Sequence, residues 1–315
     1  MRFAGTSPIV DQVRYHFGYG DGAGARRGKR LRSRLLLAVC EEEGAPIEAG
    51  LDAAAAVEIL HNYSLVHDDI EDGDRVRHGR ETVWSRYGIA HGINAGDAMC
   101  AYSYLTLLAN TGGHPSERVV QMTRRLHDAN LEMCGGQGHD IGFETAANVS
   151  LAEYLAMIDG KTAALFAISC ELGARAAGLD EDHAAAYARL GRTYGLAFQI
   201  QDDVLGTWGE TAQTGKPSGA DIAKRKWVFP VVWTMSSAAS AERTTVERHY
   251  AAGVSLAPAA VAEVIGALDR LGARAAAETA ARAYLGEADR VAAAAGIDRS
   301  GAVRAFLVES AKRTA

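Results

Sequence analysis

Apolar residues recur at a period near 3.6 along nearly the whole chain, and they alternate strictly over no useful length. RLRSRLLLAVCEEEG (30–44) therefore reads as a helix, stopped by Gly44-Ala45-Pro46. LDAAAAVEILHNYSLVHDD (51–69), AGDAMCAYSYLTLLAN (95–110) and SERVVQMTRRLHDANLEMCGGQG (116–138) follow as further helices. SLAEYLAMIDGKTAALFAISCELGARAAG (150–178) is another, and Ser150 with Glu153 three residues on predicts a capping box at its start. EDHAAAYARLGRTYGLAFQIQDDVLG (181–206) runs into a Gly/Thr/Pro-rich loop from about Thr207 to Gly219. More helices follow Val228, among them an Ala-rich one over 274–296. With no internal repeat and no linker of disordered composition, the pattern predicts an all-α fold in a single domain spanning residues 1–315.

Composition narrows the classes. A chain of 315 residues with 48% hydrophobic residues can bury a large core, and six prolines leave long helices uninterrupted. A net charge of −6, with the basic residues scattered, argues against a nucleic-acid or anionic-membrane binder. Cys40, Cys100, Cys134 and Cys170 are far apart and form no CxxC, which disfavours zinc and points to a reducing compartment, the cytoplasm. No apolar run reaches the roughly 18 residues needed to span a bilayer.

The charge pattern carries the candidate chemistry. In VHDDIEDGDRVRHGRE (66–81) five acids fall within seven residues, followed at once by basic side chains. Asp68 and Asp72 stand one helical turn apart on one face, with Asp69 beside them. Such carboxylates repel unless a hard cation such as Mg²⁺ joins them, and Mg²⁺ typically uses one or two carboxylates plus substrate phosphates. An EF-hand fails on spacing, since its third and twelfth positions would be Ile70 and Gly79. A second acidic pair, Asp202 and Asp203, ends another strongly apolar helix. Cations are dispersed: Lys29 and Arg32 at a helix start, Arg77 and Arg80 after the first acids, then Lys161, Lys216 and Lys226. GKT at 160–162 is not a P-loop, because Leu155 stands where Walker A requires glycine, and Pro217 spoils GKPS.

Eight segments in order, GKRLR, HNYSLVHDDIEDGD, RHGRETVW, INAGDA, GGQGHDIGFE, EYLAMIDGKTAALF, FQIQDDVLG and GKPSGADIAKRK, resemble the trans-isoprenyl diphosphate synthases of the polyprenyl synthetase family. The matching segments run from Gly28 to Pro230. The resemblance implies a helical bundle around a central apolar cavity, and condensation of isopentenyl diphosphate with an allylic prenyl diphosphate. It implies Mg²⁺, with Mn²⁺ as the alternative ion, held by Asp68, Asp72 and Asp202 with Asp69 and Asp203 in support. It assigns Arg77, Lys161, Gln199, Lys216 and Lys226 to the allylic diphosphate, and Lys29, Arg32, His61 and His78 to the isopentenyl diphosphate. Tyr63 and Ser64, just ahead of the first acids, are the expected chain-length determinants of a short-chain enzyme making geranylgeranyl or, second, farnesyl diphosphate. A homodimer is implied in the same way.

The sequence departs from the family pattern at several points. Gly206 stands where the second motif usually has its third acid, leaving a gap expected to be filled by water. His78 replaces one of two paired arginines, and Ser33 and the Val228-Phe229 pair are also unusual. Two alternatives follow: a type I terpene cyclase on the same fold, and a non-catalytic subunit of a heteromeric synthase. Retention of Lys29, Arg32 and His61 disfavours the first, and retention of both acidic pairs disfavours the second.

Overall fold

The computed structural model describes residues 7–19, 28–209, 218–251, 255–297 and 301–312. Two compact units divide the chain: Met1–Leu126 with Leu172–Leu179, and His127–Glu171 with Asp180–Ala315.

In the first unit, α1 spans Pro8–His16, α2 Leu31–Glu42 and α3 Ile47–Glu71. Pro46, extended at the N-cap, launches α3, and Ala53, Val57, Leu60, Tyr63 and Val66 form its buried stripe. The helix stops at Asp72-Gly73, where Gly73 takes a left-handed φ of 66°. Its amide bonds to Ile70 O and that of Asp74 to Asp69 O, closing a Schellman motif. The chain then forms a hairpin that the hydrophobic pattern does not signal: β1 (Val76–Arg77) pairs antiparallel with β2 (Arg80–Glu81). Its two turn residues, His78 and Gly79, both have positive φ, 53° and 79°, as the favoured two-residue hairpin turn demands. A histidine tolerates that conformation better than most residues. After α4 (Val83–Tyr87), α5 (Ile89–Leu108) packs along α3. Gly96 of α5 makes room for His67, whose ring occupies the place of a Cβ there.

Helix α6 spans Ser116–Phe143. The second unit contains its C-terminal half and α7 (Leu151–Ile158), which opens on the expected Ser150–Glu153 capping box. A π-helical turn, Asp159–Ala163, joins α7 to α8 (Ala164–Ala176), and α9 spans Glu181–Trp208. The predicted single helix over 150–178 is thus broken by one wide turn. Glycines let α6 and α9 meet this turn backbone to backbone. A Cβ on Gly136 would run into the Lys161 amide and stand 2.7 Å from both Gly160 C and Met157 O, and one on Gly195 would stand 2.6 Å from Ala163 Cα. Helix Ala273–Ala295 lies along α9, burying Ala277, Ala281 and Ala288. Trp227, Phe229, Val231, Val232, Val264 and Leu268 anchor the unit's core.

Gly136→Ala tests this contact. Helix propensity alone would stabilise the variant by about 1 kcal/mol, but the intruding methyl meets backbone that cannot rotate away. The expected outcome in urea unfolding is a net loss of about 1–3 kcal/mol; a gain would contradict the packing.

Candidate active site

A helix turns by about 100° per residue, so two adjacent acids point to different faces. Both acidic pairs divide accordingly. On α3 the stripe of Leu60, Tyr63 and Val66 continues into Asp69, which is buried, while Asp68 and Asp72 are half-exposed on the neighbouring face. On α9 the stripe of Ala197 and Ile200 continues into Asp203, also buried, while Asp202 is exposed.

Each inner acid is tied into its own unit. Asp69 accepts from Arg77 Nε at 2.7 Å, and Arg77 Nη2 reaches Asp68 at 3.4 Å, so the hairpin is fastened to the end of α3. Burial pushes the Asp69 carboxyl up to about 6, with Arg77 opposing. Asp203 accepts from the Tyr154 hydroxyl at 2.5 Å, the Phe229 amide at 2.7 Å and Gln199 Nε2 at 2.9 Å. Burial pushes it up to about 7 against those three donors. The Phe229 amide opens helix Phe229–Ser236, so Asp203 satisfies an N-terminal donor there.

The three residues of GKT act on three different neighbours within the second unit. Gly160 allows the close approach of α6, where a Cβ would stand 2.7 Å from Glu132 O. Lys161 Nζ donates to Asp140 Oδ2 at 2.6 Å, and Thr162 Oγ1 to Gln199 Oε1 at 2.7 Å. Gln199 is thereby oriented at both ends of its amide. Lys226 Nζ also donates to Asp140 Oδ2, at 3.2 Å, and reaches Glu144 Oε1 at 3.4 Å. The two lysines hold the buried Asp140 carboxyl below the usual range, although desolvation, the largest single effect, acts to raise it. Lys216 lies outside the described residues.

Arginines and histidines gather in the first unit. Arg32 sits in the first turn of α2, with Lys29 exposed just ahead of it, and Arg32 Nη1 donates to His61 Nε2 at 3.0 Å. Burial first, then Arg32 and Arg77, hold His61 well below the usual imidazole range, so it is a neutral acceptor. Ser33, one of the unusual residues, donates to Glu58 Oε2 at 3.0 Å. His16 of α1 belongs here too: it donates to Asn62 Oδ1 at 2.9 Å, and burial pushes it to about 4. Arg80 Nη2 bonds Tyr15 O at 2.9 Å and stacks on the Tyr15 ring, so α1 is pinned to the hairpin. His78 is exposed in the hairpin turn. Tyr63 is buried edge-on to His67, 5.6 Å between ring centres. Ser64, one turn below Asp68 on its face, donates to His61 O at 2.8 Å.

The donor set suits a hard divalent ion: carboxylate oxygens at a helical spacing of four, partly open to solvent. Among the described residues no three His, Cys, Asp or Glu side chains converge as a ready-made cluster. The expected water-filled gap at Gly206 is replaced by protein. Asp221 Oδ2 occupies the space a Cβ on Gly206 would take. Sequence reasoning missed Asp221, Asp140 and His16. Asp140 and Asp221 lay in quoted motifs, His16 in none, and no spacing rule links any of the three to its partners.

Gly206→Asp, the substitution that restores the usual acid, is therefore expected to lower the melting temperature, because two carboxylates meet in one space. Gly206→Asp with Asp221→Ala is expected to recover most of the loss. A Gly206→Asp protein as stable as the parent would contradict this arrangement.

A family profile described as polyprenyl synthetase matches residues 23–268. A farnesyl diphosphate synthase of Mycobacterium tuberculosis is 41% identical over 235 residues, covering 73% of this chain and 64% of that protein, just under two thirds of its length. A geranylgeranyl diphosphate synthase of the same organism is 39% identical over 238 residues, 74% of this chain and 67% of that one. A crystal structure of a polyprenyl synthetase from Streptomyces coelicolor superposes with a TM-score of 0.88 at 33% identity, covering 98% of this chain and 92% of the other. On this evidence of sequence and fold, the chain belongs to the polyprenyl synthetase family.

Proposed function

We propose that the protein is a short-chain trans-prenyltransferase. It joins isopentenyl diphosphate to dimethylallyl, geranyl or farnesyl diphosphate and releases inorganic diphosphate, with geranylgeranyl diphosphate the first expected product and farnesyl diphosphate the second. The observation that carries this reading is the division of both acidic pairs into an outward and an anchored member, in a chain similar to synthases of both products.

Asp68, Asp72 and Asp202 are the proposed holders of Mg²⁺ or, alternatively, Mn²⁺. The ion, when bound, neutralises charge on the departing diphosphate as the allylic C–O bond ionises. Arg77, Lys161 and Lys226, with Lys216, would bind diphosphate oxygens and stabilise the same developing charge. Gln199, its amide fixed by Thr162 and Asp203, is assigned to the same diphosphate. Lys29, Arg32 and neutral His61, joined by His78, are assigned to isopentenyl diphosphate. The allylic carbocation adds to the isopentenyl double bond, and loss of one proton, taken by the released diphosphate, completes the product. Tyr63 and Ser64 are proposed to limit chain length.

Two further readings accompany this one. Ile89, Ile93, Leu105 and Leu108 of α5 are exposed apolar side chains, which a second copy of the chain would cover. Four free cysteines suit a reducing compartment such as the cytoplasm. Among the described residues no helix is long and apolar enough to cross a membrane.

Purified protein incubated with Mg²⁺, labelled isopentenyl diphosphate and each of the C5, C10 and C15 primers is expected to make elongated linear diphosphates. A cyclic hydrocarbon formed without isopentenyl diphosphate would favour the cyclase alternative, and absence of turnover by the single chain the subunit alternative. In the same assay Tyr63→Ala is expected to shift the product to longer chains; an unchanged distribution on chromatography would remove Tyr63 from that role.

A further inference from the structure

Lys161 and Lys226 come from distant parts of the second unit, yet both ammonium groups bind one oxygen, Asp140 Oδ2, at 2.6 and 3.2 Å. Asp140 is only 7% exposed. Its place follows from the packing of α6. Gly136 meets the π-turn, and Asp140, four residues later, lies on the same face one turn along. The wide turn carries Lys161. The end of α6 also receives the other lysine's segment: Trp227 Nε1 donates to Phe143 O at 2.9 Å, and the Tyr250 hydroxyl to Lys226 O at 3.1 Å. Both lysine backbones are thus fixed, and both side chains converge on one carboxylate.

We propose that Asp140 is a positioning residue that gathers Lys161 and Lys226 into a preformed pair for one anion, the diphosphate group; the proposal rests on the prenyltransferase reading. Two free lysine side chains would each lose rotamer freedom on binding an anion, and two neighbouring ammonium groups would repel. A shared buried carboxylate removes both obstacles beforehand. Asp140 itself, as an anion, does not touch the diphosphate. It acts through the lysines, whose two ammonium charges it holds at one place.

The test is the affinity of the full chain for inorganic pyrophosphate with Mg²⁺, by isothermal titration calorimetry. Asp140→Asn is expected to bind about tenfold more weakly, from the lost pre-ordering of two long side chains. Asp140→Glu, which keeps the charge, is expected to recover most of that loss. In a Lys161→Gln background, Asp140→Asn is expected to add much less than tenfold, because one of its two clients is gone. Equal or tighter binding by Asp140→Asn would overturn the proposal, since a carboxylate that merely repels the anion predicts that result. Losses that simply multiply in the double variant would overturn it as well. Should Asp140→Asn not fold, wild-type protein with nitrogen-labelled lysines decides. Two exchange-protected ammonium signals that shift together on pyrophosphate addition are expected, and their absence overturns the pairing. Wild-type protein that binds no pyrophosphate would sink the prenyltransferase reading too, whereas normal wild-type binding with an unaffected Asp140→Asn would sink the Asp140 role alone.

Discussion

The side-chain-free contact between α6 and the π-turn at Asp159–Ala163 is the constraint on which the charged centre of the second unit depends. Helix axes normally stand 8–10 Å apart because side chains intervene. Here glycines at 136 and 160 remove them. The wide turn then places three consecutive residues usefully. Gly160 faces α6, Lys161 reaches Asp140, and Thr162 holds Gln199, which in turn donates to Asp203. A π-turn adds a residue to the helical repeat and re-aims the side chains that follow, and such turns concentrate at functional sites.

The second governing rule is helix rotation acting on doubled acids. A buried carboxylate is costly without partners, and both inner acids have them. Asp69 is fastened to the hairpin through Arg77, and Asp203 to the start of helix Phe229–Ser236 through the Phe229 amide. Each inner acid therefore ties the end of a long helix to the segment that follows in its own unit, and leaves its neighbour outward at a fixed place. The doubled acid thus divides into one outward member and one anchor. That division also explains why these carboxylates tolerate the ends of strongly apolar helices.

Much of this was legible in the residues. The 3.6 period marked the long helices, Gly44-Ala45-Pro46 marked the end of α2, and the Ser150–Glu153 cap appears as expected. Rejecting GKT as a phosphate loop was sound, since it lies within a helical run. The hairpin was not visible because two-residue strands are too short to alternate, and His78 was read as a diphosphate ligand, not as a turn residue. The π-turn hid because one wide turn barely disturbs an apolar stripe. Asp221 behind Gly206, Asp140 beneath two lysines and His16 beside Asn62 depend on tertiary proximity across 15, 21 or more, and 46 residues of chain. Periodicity carries no information at those separations.

The most direct test of the central claim, that the outer acid of each pair is the ligand and the inner one the anchor, is anomalous diffraction from crystals grown with Mn²⁺ and inorganic pyrophosphate. The account predicts metal peaks within bonding distance of Asp68 and Asp72 and of Asp202, with Asp69 still on Arg77 and Asp203 still on Tyr154 and Phe229. Manganese bound by Asp69 or Asp203, with those internal bonds broken, would contradict it.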